Sequence, residues 1–483
     1  MSTPPSSPAR VPVKGLLAIV GFLAGVEFAS GVLQGFYTPI FTDIARHLSI
    51  ADADVNWFEA AQLMVSALCI PLLARLADLW GHRNVLLLST AITALGSWIL
   101  AFSPNFTTFL IGWAIQGAYV VWLPIEVALI YRRTADSGRQ GMLTRRAAGV
   151  LVGVLELSVI VAALSAGALV GKLSMTALLS IPAVVTTVCI GLIWFGIRDT
   201  PPEAVGRIDW AGFALVTASL GAVMAGLIAI RLQGPGAVLP WALIVLGVVL
   251  LVGFVRFEST HPDPLVDVSI FRIPGQWPVQ MTAFLFGMSV LGAQIPLSTF
   301  ARTDPAEVGY GLGADAGFVS TLIGLYVISM ALGAFSFPAV ATLAGMRGAL
   351  AGALTLVALG YALWLPFHDT LTQAMVNMFV VGVGSGALVA ALPAAAAAAA
   401  PADRTGLATG LTNGVKTVGG AIASSVFAIA LASTGSLGDP AANHAPLSGY
   451  MTVWTVCAVS SLVAAVLLFV VPKRAFADPV EVD

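Results

Sequence analysis

The chain has 483 residues, of which 58% are hydrophobic and 10% charged, and its formal net charge is −2. A water-soluble surface usually needs about 25% charged residues, so a soluble globular protein is excluded. The near-neutral balance and the lack of a basic tract argue against a nucleic-acid partner.

Residues 1–14 are polar and Pro-rich, and a disordered cytoplasmic tail is expected there. The apolar stretch that follows is too long for the core of a signal peptide, and no small-residue cleavage site ends it. Apolar blocks then recur along the whole chain. About 18 apolar residues cross about 30 Å of hydrocarbon as a helix. A helix satisfies its own backbone groups in lipid, and the short alternating strands of a barrel are absent. The composition therefore predicts an all-α integral membrane protein.

Fourteen spans are predicted: 15–37, 56–75, 85–102, 107–130, 148–171, 175–196, 210–230, 239–256, 279–299, 317–338, 348–366, 373–395, 407–432 and 450–471. Clusters of Gly, Pro, Asp and Asn separate them, as at 103–105, 198–203, 233–236 and 259–264. With a cytoplasmic N-terminus, eighteen of the 22 Lys and Arg residues fall on the cytoplasmic side. The other four are Arg46, Lys172, Arg231 and Arg302. Cytoplasmic loops carry the Lys and Arg excess, so both termini are expected inside the cytoplasmic membrane.

Ionisable residues inside spans are the next signal, because at helix depth they face a partner or a cavity. Glu27 lies mid-way along the first span, and Gln34 is seven residues on, about two turns, on the same face. Glu126 lies in the fourth span, two residues after Pro124, and Glu156 in the fifth. Antiparallel neighbours could bring Glu126 and Glu156 to one depth, and adjacent acids share a proton. Glu27, Glu126 and Glu156 are therefore the proton-coupling candidates. Trp113, Gln116, Tyr119 and Trp122 on the fourth span are candidates to line a substrate cavity, as are Gln34, Asn377 and Asn413. Lys416 is expected as an interfacial anchor and Lys172 as a residue that snorkels outward. Cys69, Cys189 and Cys457 have no metal-like spacing and are expected as small apolar residues. No cofactor is expected.

The connection between spans two and three reads Ala74-Arg75-Leu76-Ala77-Asp78-Leu79-Trp80-Gly81-His82-Arg83. It closely resembles the G-x-L-A-D-R-x-G-R-K loop of the major facilitator superfamily. The resemblance implies that Asp78, Gly81 and Arg83 form a latch that holds the outward-facing state. Residues 338–347, PAVATLAGMR, form a fainter copy in which Gly345 aligns with Gly81, Arg347 with Arg83 and Thr342 with Asp78. The segments Ile208-Asp209-Trp210-Ala211-Gly212 and Asp263-Pro264-Leu265-Val266-Asp267 resemble the fourteen-helix drug:proton antiporter branch, as does Arg404 to Gly420. That branch implies two six-helix bundles, here 15–200 and 273–472, two added helices within 201–272, and a cytoplasmic tail over 473–483.

Two departures stand out. The family's fourth-helix Arg is Trp113 here, although Gln116 and Gly117 are kept. Of the fifth-helix glycine-proline motif, only Gly167 and Gly171 remain. The expected function is proton-coupled export of small amphipathic organic molecules by one chain acting as a monomer. Proton-coupled or facilitative uptake and a non-transporting membrane sensor or scaffold are the alternatives, and an enzyme is not expected.

Overall fold

A computed structural model of the protein describes residues 13–134, 140–198, 206–273, 275–400, 405–432 and 445–470. Nearly all of the expected N-terminal tail, the tail at 473–483, most of the 198–203 cluster and Arg404 lie outside the described residues. The described residues contain helices and no strand.

In chain order the helices are α1 Val13–Gly35, α2 Phe41–Leu48, α3 Asn56–Trp80, α4 His82–Ala101, α5 Phe106–Gln116 and α6 Trp122–Arg133. Then come α7 Gln140–Leu169, α8 Met175–Gly196, α9 Trp210–Gln233, α10 Val238–Glu258, α11 Gln276–Val290 and α12 Gln294–Arg302. The last are α13 Pro305–Val308, α14 Ala316–Leu363, α15 Leu371–Ala398, α16 Thr405–Ala430 and α17 Leu447–Val470. Among the described residues, 11 helical stretches are long and apolar enough to cross a membrane. The protein is a multi-pass membrane protein. Its α5 and α6 are parts of one passage, joined by the 3₁₀ turn Gly117–Val121. At 48 residues, α14 is about twice the length a bilayer needs. It breaks at Gly345, whose φ of 72° and ψ of 162° lie outside helical space.

Helix starts are fixed by side chains that accept the orphan backbone donors. Asp209 accepts from the Gly212 N–H and Asp315 from the Phe318 N–H, each at 2.8 Å. Thr370 and Gln373 cap α15 reciprocally. Small residues then allow close packing, as is general for helices in lipid. A methyl group at Gly31 would lie 2.5 Å from the Leu155 carbonyl oxygen, and one at Gly35 would strike the Val159 backbone. These two glycines, one turn apart, seat α1 directly on α7.

Two hydrophobic cores result. One gathers residues from Leu23 to Ile197, with Ile295. The other gathers residues from Ile270 to Leu468, with Ala53. The helix α9 lies against α3 and α16, where Leu227 joins Trp57, Ala60 and Ala428. It is pinned by Arg231, which reaches Asp54 at 3.5 Å with both side chains almost fully buried.

The end where α1 begins is called the near end, and the opposite one the far end. At the near end, the turns after α3 and within α14 are alike. Gly81 has φ 92° and Gly345 φ 72°, in the positive region that other residues avoid. Two residues after each glycine, an arginine covers an aromatic ring near the end of that half's last helix. Arg83 sits 5.1 Å from the Trp194 ring centre and Arg347 sits 5.2 Å from that of Phe469. Arg83 also donates to the Trp194 carbonyl oxygen at 2.9 Å.

Candidate functional site

Direct bonds between the two halves gather at the far end. Arg302 on α12 donates to both carboxylate oxygens of Asp43 on α2, at 3.0 and 3.1 Å. Ser298 donates to the Thr38 carbonyl at 2.5 Å, and Ser320 on α14 to that of Ala163 on α7 at 2.7 Å.

Toward the near end the halves separate, and the glycines record the taper. On α7, a methyl group at Gly167 would strike Ser320 and lie 2.8 Å from the Ala316 oxygen. At Gly324 on α14 it would meet Ile160 at 3.7 Å, and at Gly153 and Gly149 it would meet nothing within 4 Å. Gly149 and Gly167 are about five turns apart, so they share one helix face. The pair formed by α3 and α16 repeats the pattern. A methyl group at Gly420 would lie 2.9 Å from Leu63, one at Gly414 would lie 4.0 Å from Ile70, and one at Gly410 would have open space. The halves therefore form a wedge-shaped cleft, closed at the far end and widening toward the near end.

Two groups of ionisable residues belong to this cleft and its wall. The first is Glu27 on α1 with Glu126 on α6. Both are fully buried, and apart from each other their carboxyl groups have no hydrogen-bond partner. The two carboxyl groups adjoin each other. Two ionised carboxylates so placed repel, and one shared proton turns the repulsion into a hydrogen bond. The second group is Glu156 on α7 with Lys416 on α16, which act on each other electrostatically across the cleft. The pairing of Glu126 with Glu156 that the sequence allowed is thus replaced. Glu126 faces α1, and Glu156 faces the other half.

The other expected residues divide by how their polar atoms are used. Gln116 is fully buried and its amide is saturated. Its nitrogen donates to Tyr37 at 3.0 Å and to Ser97 at 2.9 Å, and its oxygen accepts from Gln62 at 3.3 Å. Trp122 donates to Ser89 at 3.1 Å, and Asn377 to the Phe367 carbonyl at 2.7 Å. Trp113 packs among Tyr37, Phe41, Phe58 and Phe109, with its ring centre 4.6 Å from that of Tyr37. Gln116, Trp122 and Asn377 spend these polar atoms on the walls, while Trp113 is held by ring packing and its buried indole N–H has no hydrogen-bond partner. Gln34 is exposed and donates to Ser30 at 3.2 Å. Tyr119 is half-buried, within electrostatic reach of Glu27 and Glu59. Asn413 lines a small void with Thr412 and Lys416. Asp78 is half-buried near the end of α3, and Gly171, with φ 78°, turns the chain after α7.

Lys416, expected at a helix start as an interfacial anchor, is the twelfth of 26 residues in α16. It therefore leaves the set of near-end charges that oriented the spans. Sequence patterns also left Glu59 and the buried Asp54–Arg231 pair unremarked. Glu59 is half-buried in the first turn of α3.

A family profile for the Major Facilitator Superfamily matches residues 23–424. The uridine/deoxyuridine transporter of Lactococcus lactis subsp. cremoris is 26% identical over 312 residues, which cover 64% of this chain and 62% of that protein. The efflux pump dotC of Dothistroma septosporum is 24% identical over 392 residues, covering 77% of this chain and 64% of the relative. The chain thus matches less than two thirds of the length of either. An auto-inhibited POT family peptide transporter of known structure has the same fold, with a TM-score of 0.69 at 14% identity over 97% of this chain and 99% of the other.

Proposed function

The chain belongs to the Major Facilitator Superfamily, and from that premise we propose that it exports small amphipathic organic molecules in exchange for protons. The observation that carries this is the Glu27–Glu126 pair. Two adjoining acids, shut off from water and from other hydrogen-bond partners, hold a proton until a change in access lets it leave. The cleft supplies the second requirement, a wedge that can close at one end and open at the other. The likeness to an efflux pump supports outward transport.

In this reading the near end is cytoplasmic, because most Lys and Arg residues belong there, and the structure is the inward-open state. The membrane is the cytoplasmic one and both termini lie inside. Taking the arms of α14 on either side of Gly345 separately, with α1 and α16 added, supports fourteen passages. They group as bundles over 15–200 and 273–472 with α9 and α10 between them. Each bundle supplies one wall of the cleft, so one chain suffices. Asp78, Gly81 and Arg83 act at the near-end turn, which must rearrange when that end closes.

Glu27→Gln and Glu126→Gln are expected to lower efflux driven by an imposed pH gradient by at least about tenfold, about 1.4 kcal/mol at the transition state. Exchange of substrate without a gradient should persist in both variants. Gradient-driven efflux at the wild-type rate in both, and in Glu156→Gln, would show that the acids are structural and that the proton takes another route.

A further inference from the structure

Lys416 stands about 16 Å along α16 from its first residue and farther still from its last. A lysine stem cannot reach water at either helix end from there. Its ammonium makes no hydrogen bond and no ion pair within 4 Å among the described residues. Glu156 acts on it only across the cleft. A charge so placed faces a cavity or a ligand.

Its neighbours show what the ligand would be. Asn413, three residues earlier, lies on the same helix face, and its amide makes no hydrogen bond among the described residues. Thr412 is not available. Its hydroxyl donates to the Ala408 carbonyl at 2.8 Å and accepts from Gln280 at 3.1 Å. The rest of the void's lining is apolar, including Phe286, Leu388, Leu392 and Pro393.

We propose that Lys416 and Asn413 bind the acidic group of an amphipathic organic anion, whose hydrocarbon part lies against Phe286, Leu388, Leu392 and Pro393. This rests on the transport reading above and narrows its substrate class. A neutral solute would make no use of the ammonium, and a cation drawn to Glu156 would sit beside a like charge. An anion gains an ammonium partner and an amide donor at once. Glu156 then acts as the counter-charge of the empty site, competing with the ligand for Lys416. The two neutralising substitutions must therefore act in opposite directions.

The test uses the purified full chain in phosphatidylcholine nanodiscs. Saturable binding of radiolabelled naphthalene-2-sulfonate is compared with that of naphthalene-2-sulfonamide, its uncharged isostere. The wild type should prefer the sulfonate. Lys416→Gln should weaken sulfonate binding by at least about tenfold and leave the sulfonamide unchanged, Lys416→Arg should keep the preference, and Glu156→Gln should tighten sulfonate binding. Equal affinity for the two probes in the wild type, no saturable binding of either, or equal losses of both in Lys416→Gln would overturn the proposal. So would displacement of the sulfonate by phosphatidylglycerol in wild-type nanodiscs, which would give the site to a lipid phosphate. Sulfonate binding that follows Lys416, without flux of the probe in proteoliposomes, would uphold the site and count against the transport reading alone.

Discussion

Gln116 shows how a polar residue can be committed to structure inside a membrane. It joins α5 to the turn after α1, to α3 and to α4 through Tyr37, Gln62 and Ser97. Gln116→Leu would remove three hydrogen bonds and leave buried partners unsatisfied, at about 1–3 kcal/mol each when no water can replace them. The expected outcome is a melting temperature several degrees lower in detergent, with substrate preference unchanged. From the sequence, Gln116 and Asn413 look alike as amides inside apolar spans. They part only when neighbouring helices bring acceptors to one and not to the other. The acids were easier to single out, because the cost of a charge in hydrocarbon marks Glu27, Glu126 and Glu156 whatever surrounds them. Their partners were not legible. Helical periodicity gives the face of one helix, and says nothing about which helix stands opposite. Lys416 was misplaced for a different reason. The Gly-rich stretch around it blurs the start of α16, so a central residue looked terminal.

Among the elements, the turns after α3 and within α14 carry most of the information. Gly345 was readable because a reversal of this kind needs positive φ, and glycine supplies it. Gly345→Ala is expected to cost about 1–2 kcal/mol through backbone strain alone, since a methyl group there would meet no neighbour within 4 Å. Gly352→Ala, seven residues on in regular helix and equally uncrowded, should be neutral or slightly stabilising. Thermal unfolding of the two variants separates strain from loss of glycine. The aromatic ring under each arginine could not be anticipated, because Trp194 and Phe469 lie more than 100 residues from their partners. The α2 helix sits in the first connection and buries Phe41, Ile44, Ala45 and Leu48 at helical spacing, but its eight residues are too few to stand out as a span. The 3₁₀ turn between α5 and α6 was hidden as well, inside a stretch that looked like one uninterrupted helix.

For the whole molecule, the far-end bonds set which state is populated. The Asp43–Arg302 pair is partly buried and spans the two halves. Arg302→Ala should shift the balance toward opening at the far end by about threefold to tenfold, the worth of about 1 kcal/mol. Spin labels at Arg46 and Ala306, both exposed near that end, would report a longer distance in more of the population. An unchanged distance distribution would assign the closure to the packing around Gly167 instead.

The placement of α9 also makes the two flanks of the cleft unequal. The seam between α3 and α16 is backed by a helix that is itself pinned through Arg231. Along the seam between α7 and α14, Gly149 and Gly153 have no neighbour close enough to fill their space. Toward the far end one flank of the cleft is thus covered by an added helix, so the molecule has a front and a back to the lipid around it.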